Sequence, residues 1–250
     1  MTATKLTRTE IKVLTFDTGG TVLDWHSGFR DALKLVGEKH GIKKDWGALA
    51  NKLRKKSMNA MLQLGETEPP AYNFDGAHKF CLDEVIAEEQ LSSFTKEEAE
   101  FIAYETPHNF KCWPDFPASL TRIRKSYLVC SFTILSYRLI IDTSRKNNIV
   151  WDAVFSCEGI GKYKMLQEPY DMVASHLQVN PRECLMVACH PWDLDAAQKA
   201  GYRTAFVKRS AEWGQEPAPW MGKGPDQKQV DKDSYDIVVD DFGALADRLC

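Results

Sequence analysis

Short, continuous runs of apolar residues recur along the chain and predict buried β-strands. Six such runs are present, at residues 11–17, 126–132, 151–157, 184–189, 204–208 and 235–241. Strands that are apolar throughout, rather than alternating, are typical of parallel sheets covered by helices on both faces. Between most of these runs lie segments with apolar residues at helical spacing, such as 114–126, 170–179 and 193–202. The alternation predicts an α/β fold with a mainly parallel sheet.

One long region interrupts this alternation. Residues 28–108 contain no convincing strand, but they contain four amphipathic stretches, at 29–41, 46–64, 77–91 and 96–105. A helical insertion of this size predicts a cap, so we expect residues 1–27 and 109–250 to form the core and 28–108 the cap. Residues 214–234 are rich in proline, glycine and charge, which predicts a surface loop before the last strand.

Composition excludes several classes of protein. Apolar residues make up 44% of the 250 positions and charged residues 27%, as in an ordinary globular chain. The formal net charge of −3 gives no positive excess to attract nucleic acid. No run of 18 apolar residues is present and the first ten residues are polar, so we expect no membrane partner and a cytoplasmic location.

The seven cysteines predict reduced thiols. Their number is odd and no CxxC pair is present, which argues against a disulfide framework. Cys184, Cys189 and His190 are conceivable metal ligands, but the two cysteines stand at the ends of one short predicted strand and no second ligand pair follows. We therefore expect no metal site.

Polar residues stand where the predicted strands end. Asp17 ends the first strand, Ser131 lies at the end of the second, and Lys164 lies in the loop after the third. His190 and Asp193 follow the fourth. Because ligands bind at the carboxyl ends of strands in a doubly wound sheet, we expect these groups to converge. A carboxylate with a lysine, a hydroxyl and a second carboxylate provides a nucleophile with electrostatic support.

Four blocks of sequence, in order, resemble the motifs of the haloacid dehalogenase (HAD) superfamily: FDTGGTVLDW, SF after an apolar strand, YKMLQEPY, and MVACHPWDLDAAQKAGYRTAFVKR. The blocks DTGGTVLDW, KLRKKS, CWPDF and AFVKRSAEWG resemble, more narrowly, the type II 2-haloacid dehalogenases. The resemblance covers nearly the whole chain. It implies a Rossmann-like core with a helical cap, a hydrolase that releases halide from small haloacids, and no required cofactor. A homodimer is also consistent with it.

The resemblance also implies a mechanism. Asp17 would attack the carbon that bears the halogen and form an ester, which water then hydrolyses. Lys164 would keep Asp17 ionised through its opposite charge. Thr21 and Ser131 would orient carboxylate oxygens and substrate, and Asp193 would fix Lys164 or position the water.

Substrate contacts follow from the same comparison. Arg54 corresponds to the halide-facing arginine of the family's Trp-Arg pair, and Leu53 stands in place of the tryptophan. The implied substrate-binding residues are Arg54, Gly19, Phe132, His190, Tyr170 and Trp192. His190 stands where the family usually has asparagine, as a base or as a passive hydrogen-bonding group.

Gly19, two residues after the nucleophile, separates the possible reactions. Phosphatases of the superfamily have an aspartate there that protonates the leaving group, which glycine cannot do. Dehalogenases typically have a bulky aromatic residue, so Gly19 predicts free space beside Asp17. We expect Phe132 to fill it, with Trp192 or a cap residue as the alternatives, and otherwise a pocket that accepts a bulkier acid than haloacetate.

Two other functions stay open. A Mg²⁺-dependent phosphatase would hold the ion through Asp17, the Gly19 carbonyl and Asp193. A catalytically silent module that binds small acids is the other, because Gly19, Phe132 and Ala188 all depart from the family's usual residues.

Plainer roles also exist for the single residues. Asp17 could cap the following helix, and Ser131 could be a turn residue. Lys164 could be an exposed loop lysine. Arg54 could lie on a solvated helix face, because it belongs to a run of charges.

Overall fold

A six-stranded parallel sheet forms the centre of the computed structural model, which describes residues 10–217 and 230–250. Its strands are β1 (Val13–Phe16), β2 (Leu128–Thr133), β3 (Ala153–Ser156), β4 (Cys184–Ala188), β5 (Arg203–Val207) and β6 (Ile237–Val239). The strand order is β3-β2-β1-β4-β5-β6. The chain thus turns in opposite directions on either side of β1, which creates a crevice at its carboxyl end. This sheet confirms the predicted α/β fold and its six strands.

Four α-helices lie in residues 25–109, between β1 and β2, and we call this segment the helical insertion. They are α1 (Trp25–Lys39), α2 (Trp46–Met61), α3 (Phe74–Glu88) and α4 (Lys96–Glu100), followed by a π-helix (Phe101–Glu105) and a 3₁₀ turn (Pro107–Asn109). Asp24, Asp45 and Asn73 begin the first three helices, and each side chain accepts a hydrogen bond from a backbone N–H of the first turn. The predicted boundaries at 28 and 108 fall within α1 and the 3₁₀ turn.

Six further helices cover the sheet. They are α5 (Phe116–Ile123), α6 (Tyr137–Lys146), α7 (Cys157–Ile160), α8 (Glu168–His176), α9 (Pro191–Lys199) and α10 (Phe242–Leu249). Every residue of β1 is buried, and the ring of Phe16 packs against those of Phe116 and Phe242. The apolar sequence of β1 follows from this burial on both faces. Of the predicted loop at 214–234, residues 218–229 lie outside the described part of the chain.

The helical insertion is fastened to the sheet region beside Lys164. The backbone N–H of Tyr163 donates to the carbonyl of Leu64 at 3.0 Å, and the Lys162 ammonium donates to the carbonyl of Gly65 at 3.0 Å. These contacts hold the loop after α2 against the segment that leads into Lys164. Within the ranges 10–217 and 230–250, no helix is long and apolar enough to cross a membrane. The cytoplasmic location and the homodimer stay predictions.

Candidate active site

Asp17 lies directly after β1, at the carboxyl edge of the sheet. Its backbone N–H donates to the carbonyl of Val187 at 2.9 Å, which continues the pairing with β4 by one residue. The hydroxyl of Thr21 donates to Oδ2 of Asp17 at 2.6 Å, and the backbone N–H of Cys189 donates to that hydroxyl at 3.0 Å. Helix α1 is capped by Asp24 instead, so the interpretation of Asp17 as a helix cap is wrong.

Lys164 joins the two carboxylates of the site. Its ammonium donates to Oδ1 of Asp17 at 2.9 Å and to Oδ2 of Asp193 at 2.6 Å. The side chain of Lys164 is fully buried, which rules out an exposed loop lysine. Tyr170, in the first turn of α8, donates from its hydroxyl to Oδ1 of Asp193 at 2.6 Å, and the ring of Phe132 lies 4.9 Å from the ammonium.

The charges of this cluster support one another. Burial alone would raise the pKa of Asp17, but the ammonium of Lys164 and the hydrogen bonds from His190 and Thr21 hold it well below its ordinary value. Burial would lower the pKa of Lys164, and the two carboxylates raise it instead. Burial raises the pKa of Asp193 despite Lys164. Asp17 is thus the more readily ionised carboxylate of the pair.

His190 lies between Asp17 and a second carboxylate, Glu212. Its Nδ1 is 3.1 Å from Oδ2 of Asp17, and its Nε2 is 2.9 Å from Oε1 of Glu212. The ring stacks on that of Trp192, with the planes 18° apart. Burial would lower the pKa of His190, but Cys189, Glu212 and the contact with Asp17 raise it well above its ordinary value.

Arg54 reaches the site from α2 in the helical insertion. It is 2% exposed, so the interpretation as a solvated helix face is wrong. Its guanidinium donates to the carbonyl of Gly19 at 3.2 Å and lies 5.3 Å from the ring centres of both Trp25 and Phe74. The space beside Gly19 is filled by Arg54 and Leu135, whose atoms would lie 2.8 and 3.6 Å from an added Cβ. The expectation that Phe132 fills this space is wrong, because Arg54 of the insertion, the kind of cap residue named as an alternative, does so together with Leu135.

Ser131 is not brought into this cluster. Strand β2 continues to Thr133, two residues beyond Ser131, and Ser131 pairs with Phe16 inside the sheet. Its buried hydroxyl has no hydrogen-bond partner among the described residues. Alternation along the strand places it on the face opposite to Phe132, which is the residue that lies against Lys164. The hydroxyl at the true end of β2 belongs to Thr133.

Sequence reasoning missed three residues that contribute to the site, namely Thr133, Glu212 and Trp25. Thr133 accepts a hydrogen bond from the hydroxyl of Thr18, next to Asp17, at 2.6 Å. Glu212 follows β5 and accepts the indole N–H of Trp25 at 3.0 Å. The motif FDTGGTVLDW contains Trp25, and AFVKRSAEWG contains Glu212, so the resemblance marked both segments without showing that these two side chains meet.

Three side chains stand as close together as metal ligands would, although both ring nitrogens of His190 already contact carboxylate oxygens. In the described part of the chain, Cys189, His190 and Glu212 place one ligand atom each within 4.8 Å of one another. A different set, Asp17 with the Gly19 carbonyl and Asp193, was predicted for Mg²⁺. The Gly19 carbonyl already accepts the positively charged Arg54, and Lys164 bridges both aspartates. This oxygen set is therefore occupied by cationic side chains.

Comparison with known protein families fits this geometry. The model of the haloacid dehalogenase-like hydrolases matches residues 11–201, which include Asp17, Lys164 and Asp193. The chain belongs to this hydrolase family. Among curated proteins, none matches it.

Solved structures of this hydrolase family share the fold. A defluorinating L-2-haloacid dehalogenase is 28% identical, with a TM-score of 0.81 over 96% of this chain and 95% of that one. The L-2-haloacid dehalogenase from Xanthobacter autotrophicus is 19% identical, with a TM-score of 0.73 over 95% and 97%. The likeness spans the sheet and the helical insertion together.

Proposed function

We propose that this hydrolase releases halide from short 2-haloacids through an ester formed on Asp17. The observation that carries the proposal is a buried Asp17, held ionised by Lys164, beside a buried guanidinium, that of Arg54, which makes no ion pair within 4 Å with a carboxylate of the described residues. An anion that enters the site would meet this positive charge. The similarity to a dehalogenase at 28% identity supports the same reaction.

The first step is displacement at carbon. One oxygen of Asp17 bonds to the carbon that bears the halogen, and the carbon–halogen bond breaks with its electron pair on the halide. Lys164 keeps Asp17 ionised and therefore nucleophilic. Arg54 stabilises the developing halide charge in a site that excludes water.

The second step is hydrolysis of the ester. A water oxygen bonds to the carboxyl carbon of Asp17, and one proton of that water passes to Asp193, the second carboxylate held by Lys164. The bond to the substrate oxygen then breaks, and the alkoxide takes the proton from Asp193. Asp17 loses its remaining proton to solvent, so each turnover yields one hydroxy acid, one halide and one proton.

We propose further that the helical insertion is the cap that closes over the substrate. Arg54 is its contribution to the chemistry, and it reaches the core directly at the Gly19 carbonyl. Since Gly19 leaves room for the guanidinium, the insertion can approach the turn after β1 closely. The space left by the missing aromatic residue is thus occupied by the Arg54 guanidinium and Leu135.

Halide release from 2-chloropropionate and fluoroacetate tests the proposal. Wild type should release halide, and Asp17→Asn should abolish release while circular dichroism shows the fold intact. EDTA should not change the rate. Hydrolysis of an aryl phosphate that needs Mg²⁺ would favour the phosphatase instead, and background rates with all haloacids and phosphoesters would favour a silent binding module.

A further inference from the structure

The two oxygens of Asp17 have different partners. Oδ2 faces two donors, the hydroxyl of Thr21 at 2.6 Å and Nδ1 of His190 at 3.1 Å. Oδ1 faces one, the ammonium of Lys164 at 2.9 Å. A carboxylate oxygen has two lone pairs for such contacts. Among the described residues, Oδ1 therefore keeps one lone pair free for a bond to carbon, and Oδ2 does not.

His190 contacts a carboxylate oxygen with each ring nitrogen. A neutral imidazole has one N–H and one lone pair, so one of the two contacts would set a lone pair against a negative oxygen. Only the imidazolium can donate to both Asp17 and Glu212. The site then holds three cations, on His190, Lys164 and Arg54, beside the three carboxylates Asp17, Asp193 and Glu212.

Glu212 is built into this position. It is 3% exposed, and its Oε1 accepts both Nε2 of His190 and the indole of Trp25. Its carboxylate occupies the space that a Cβ would need at residue 20, where glycine stands with a φ of +97°. Burial raises the pKa of Cys189 to about 11, so this third neighbour of His190 is an uncharged thiol near neutral pH. The negative charges that face the ring come from Asp17 and Glu212.

We propose that Oδ1 of Asp17 attacks the substrate, and that His190, held as an imidazolium by Glu212, stabilises the negative charge on Oδ2 during ester hydrolysis. This inference rests on the proposed function. When the ester forms, Oδ2 becomes its carbonyl oxygen, still in contact with Thr21 and His190. When water adds to the carboxyl carbon, the electron pair of the carbonyl bond moves onto Oδ2, where the two donors are already in place. Glu212 is a positioning residue, since it acts through His190.

Rapid-quench kinetics with 2-chloropropionate separate the two steps. In Glu212→Gln, we expect one equivalent of chloride at close to the wild-type rate, followed by hydroxy-acid formation that is slower by about 10- to 100-fold. The ester should then accumulate, and intact mass spectrometry should show a chain heavier by the acid minus its halogen. Wild type should show no such species.

The pH profile distinguishes this role from a structural one. Without the charge of Glu212, the pKa of His190 falls, because only Asp17 still faces the ring, and that charge is itself lost in the ester. Hydrolysis by Glu212→Gln should therefore be retained at low pH and lost as the pH rises, while wild type stays constant over the same range. His190→Asn, which keeps a neutral donor, should also accumulate ester but without this pH dependence.

Glu98→Gln is the matched control. Glu98 contacts Nε2 of His40 at 2.7 Å in the helical insertion, so the same substitution alters a Glu–His pair away from Asp17. It should leave both steps unchanged. The proposal is overturned if Glu212→Gln slows chloride release in the first turnover, or if neither substitution at Glu212 or His190 leads to accumulated ester. If Glu212→Gln does not fold, His190→Asn decides the question by itself.

A readout without substrate separates this inference from the proposed function. Nitrogen-15 NMR of the His190 ring, assigned by its loss in His190→Asn, should show both nitrogens protonated at pH 8 in wild type. A neutral ring at pH 7 would overturn the inference whether or not haloacids are hydrolysed. Conversely, a protonated ring in a protein that releases no halide would refute only the dehalogenase proposal.

Discussion

Two cations of the site, Lys164 and Arg54, have opposite surroundings. Lys164, from the core, lies between two carboxylates at 2.9 and 2.6 Å. Arg54, from the helical insertion, makes one hydrogen bond, to a carbonyl, and its Nε has no partner in the described ranges. His78, close to Arg54 in the insertion, is fully buried with no partner for either ring nitrogen in those ranges.

This difference indicates that Lys164 contributes mainly to the stability of the fold and Arg54 mainly to the proposed reaction. In the core half of the site, which comprises Lys164 and its two carboxylates, opposite charges pair with one another, so these groups hold one another in place. In the insertion half, which comprises Arg54 and His78, buried polar atoms lack partners among the described residues, and such atoms are rare in folded proteins. In the proposed function, the substrate would supply an anionic partner on that side with its carboxylate and its departing halide. Substitutions in the two halves should therefore have different consequences.

The largest effect on stability is expected from Lys164→Met. This change leaves Asp17 and Asp193 buried without their shared cation, and breaking a buried ion pair costs about 3–5 kcal/mol. Urea unfolding should show the loss at pH 7. Lys162→Met, which alters the neighbouring and partly exposed lysine, serves as the control and should change the free energy of unfolding by less than about 1 kcal/mol.

Arg54→Met should have a much smaller effect on stability than Lys164→Met, but a large effect on halide release. A methionine can pack against the rings of Trp25 and Phe74, and the guanidinium loses no carboxylate, so we expect the free energy of unfolding to change by at most about 1–2 kcal/mol. Halide release should still fall by about 100-fold or more. A stability loss as large as that of Lys164→Met would show that Arg54 is also a structural cation.

His78 provides a further test, because it makes the free energy of unfolding depend on pH. Burial and the charge of Arg54 lower its pKa to about 3, so below about pH 6.5 the unfolded chain binds a proton that the folded chain does not. This lowers stability by up to about 1.4 kcal/mol per pH unit as the pH falls from 6.5 towards 3. Urea unfolding at pH 7 and pH 5 should show a smaller difference for His78→Leu than for wild type. His176→Leu, at an exposed histidine of α8, should keep the wild-type difference.

The smallest effect is expected from Gly19→Ala. The added Cβ would lie 2.8 Å from the end of the Arg54 side chain, which can move aside, so stability should fall by less than about 1 kcal/mol. The displaced guanidinium should lower kcat for 2-chloropropionate, because Arg54 stabilises the departing halide. An unchanged kcat would show that the position of Arg54 is not set by Gly19.

Much of the core half is predictable from the sequence. The six apolar runs identify the strands, and the carboxyl ends of neighbouring parallel strands must meet at one edge, which brings Asp17, Lys164 and Asp193 together. The end of β2 is not predictable in this way, because small polar residues continue inside the strand. An error of two residues there moves a hydroxyl about 6.6 Å along the strand, from the edge into the core.

The insertion half is less predictable because burial decides it. The charges around Arg54 are typical of a solvated helix face, and only the packing of α2 against the turn after β1 shows that this one is enclosed. Glu212 escapes prediction for a similar reason. It lies in an irregular segment after β5, and nothing in residue spacing shows where such a segment folds back.

The enclosure of Asp17 has a consequence for selectivity. With 3% of its surface exposed, this carboxylate is shielded from electrophiles in solution, and if the helical insertion is the proposed cap, we expect a molecule to reach it only when the insertion separates from the sheet. A group that forms esters with carbon electrophiles would be damaged irreversibly by reagents whose ester it cannot hydrolyse. Enclosure would then limit the proposed reaction to molecules over which the two parts can close, so the protein would select substrates by shape before any bond forms.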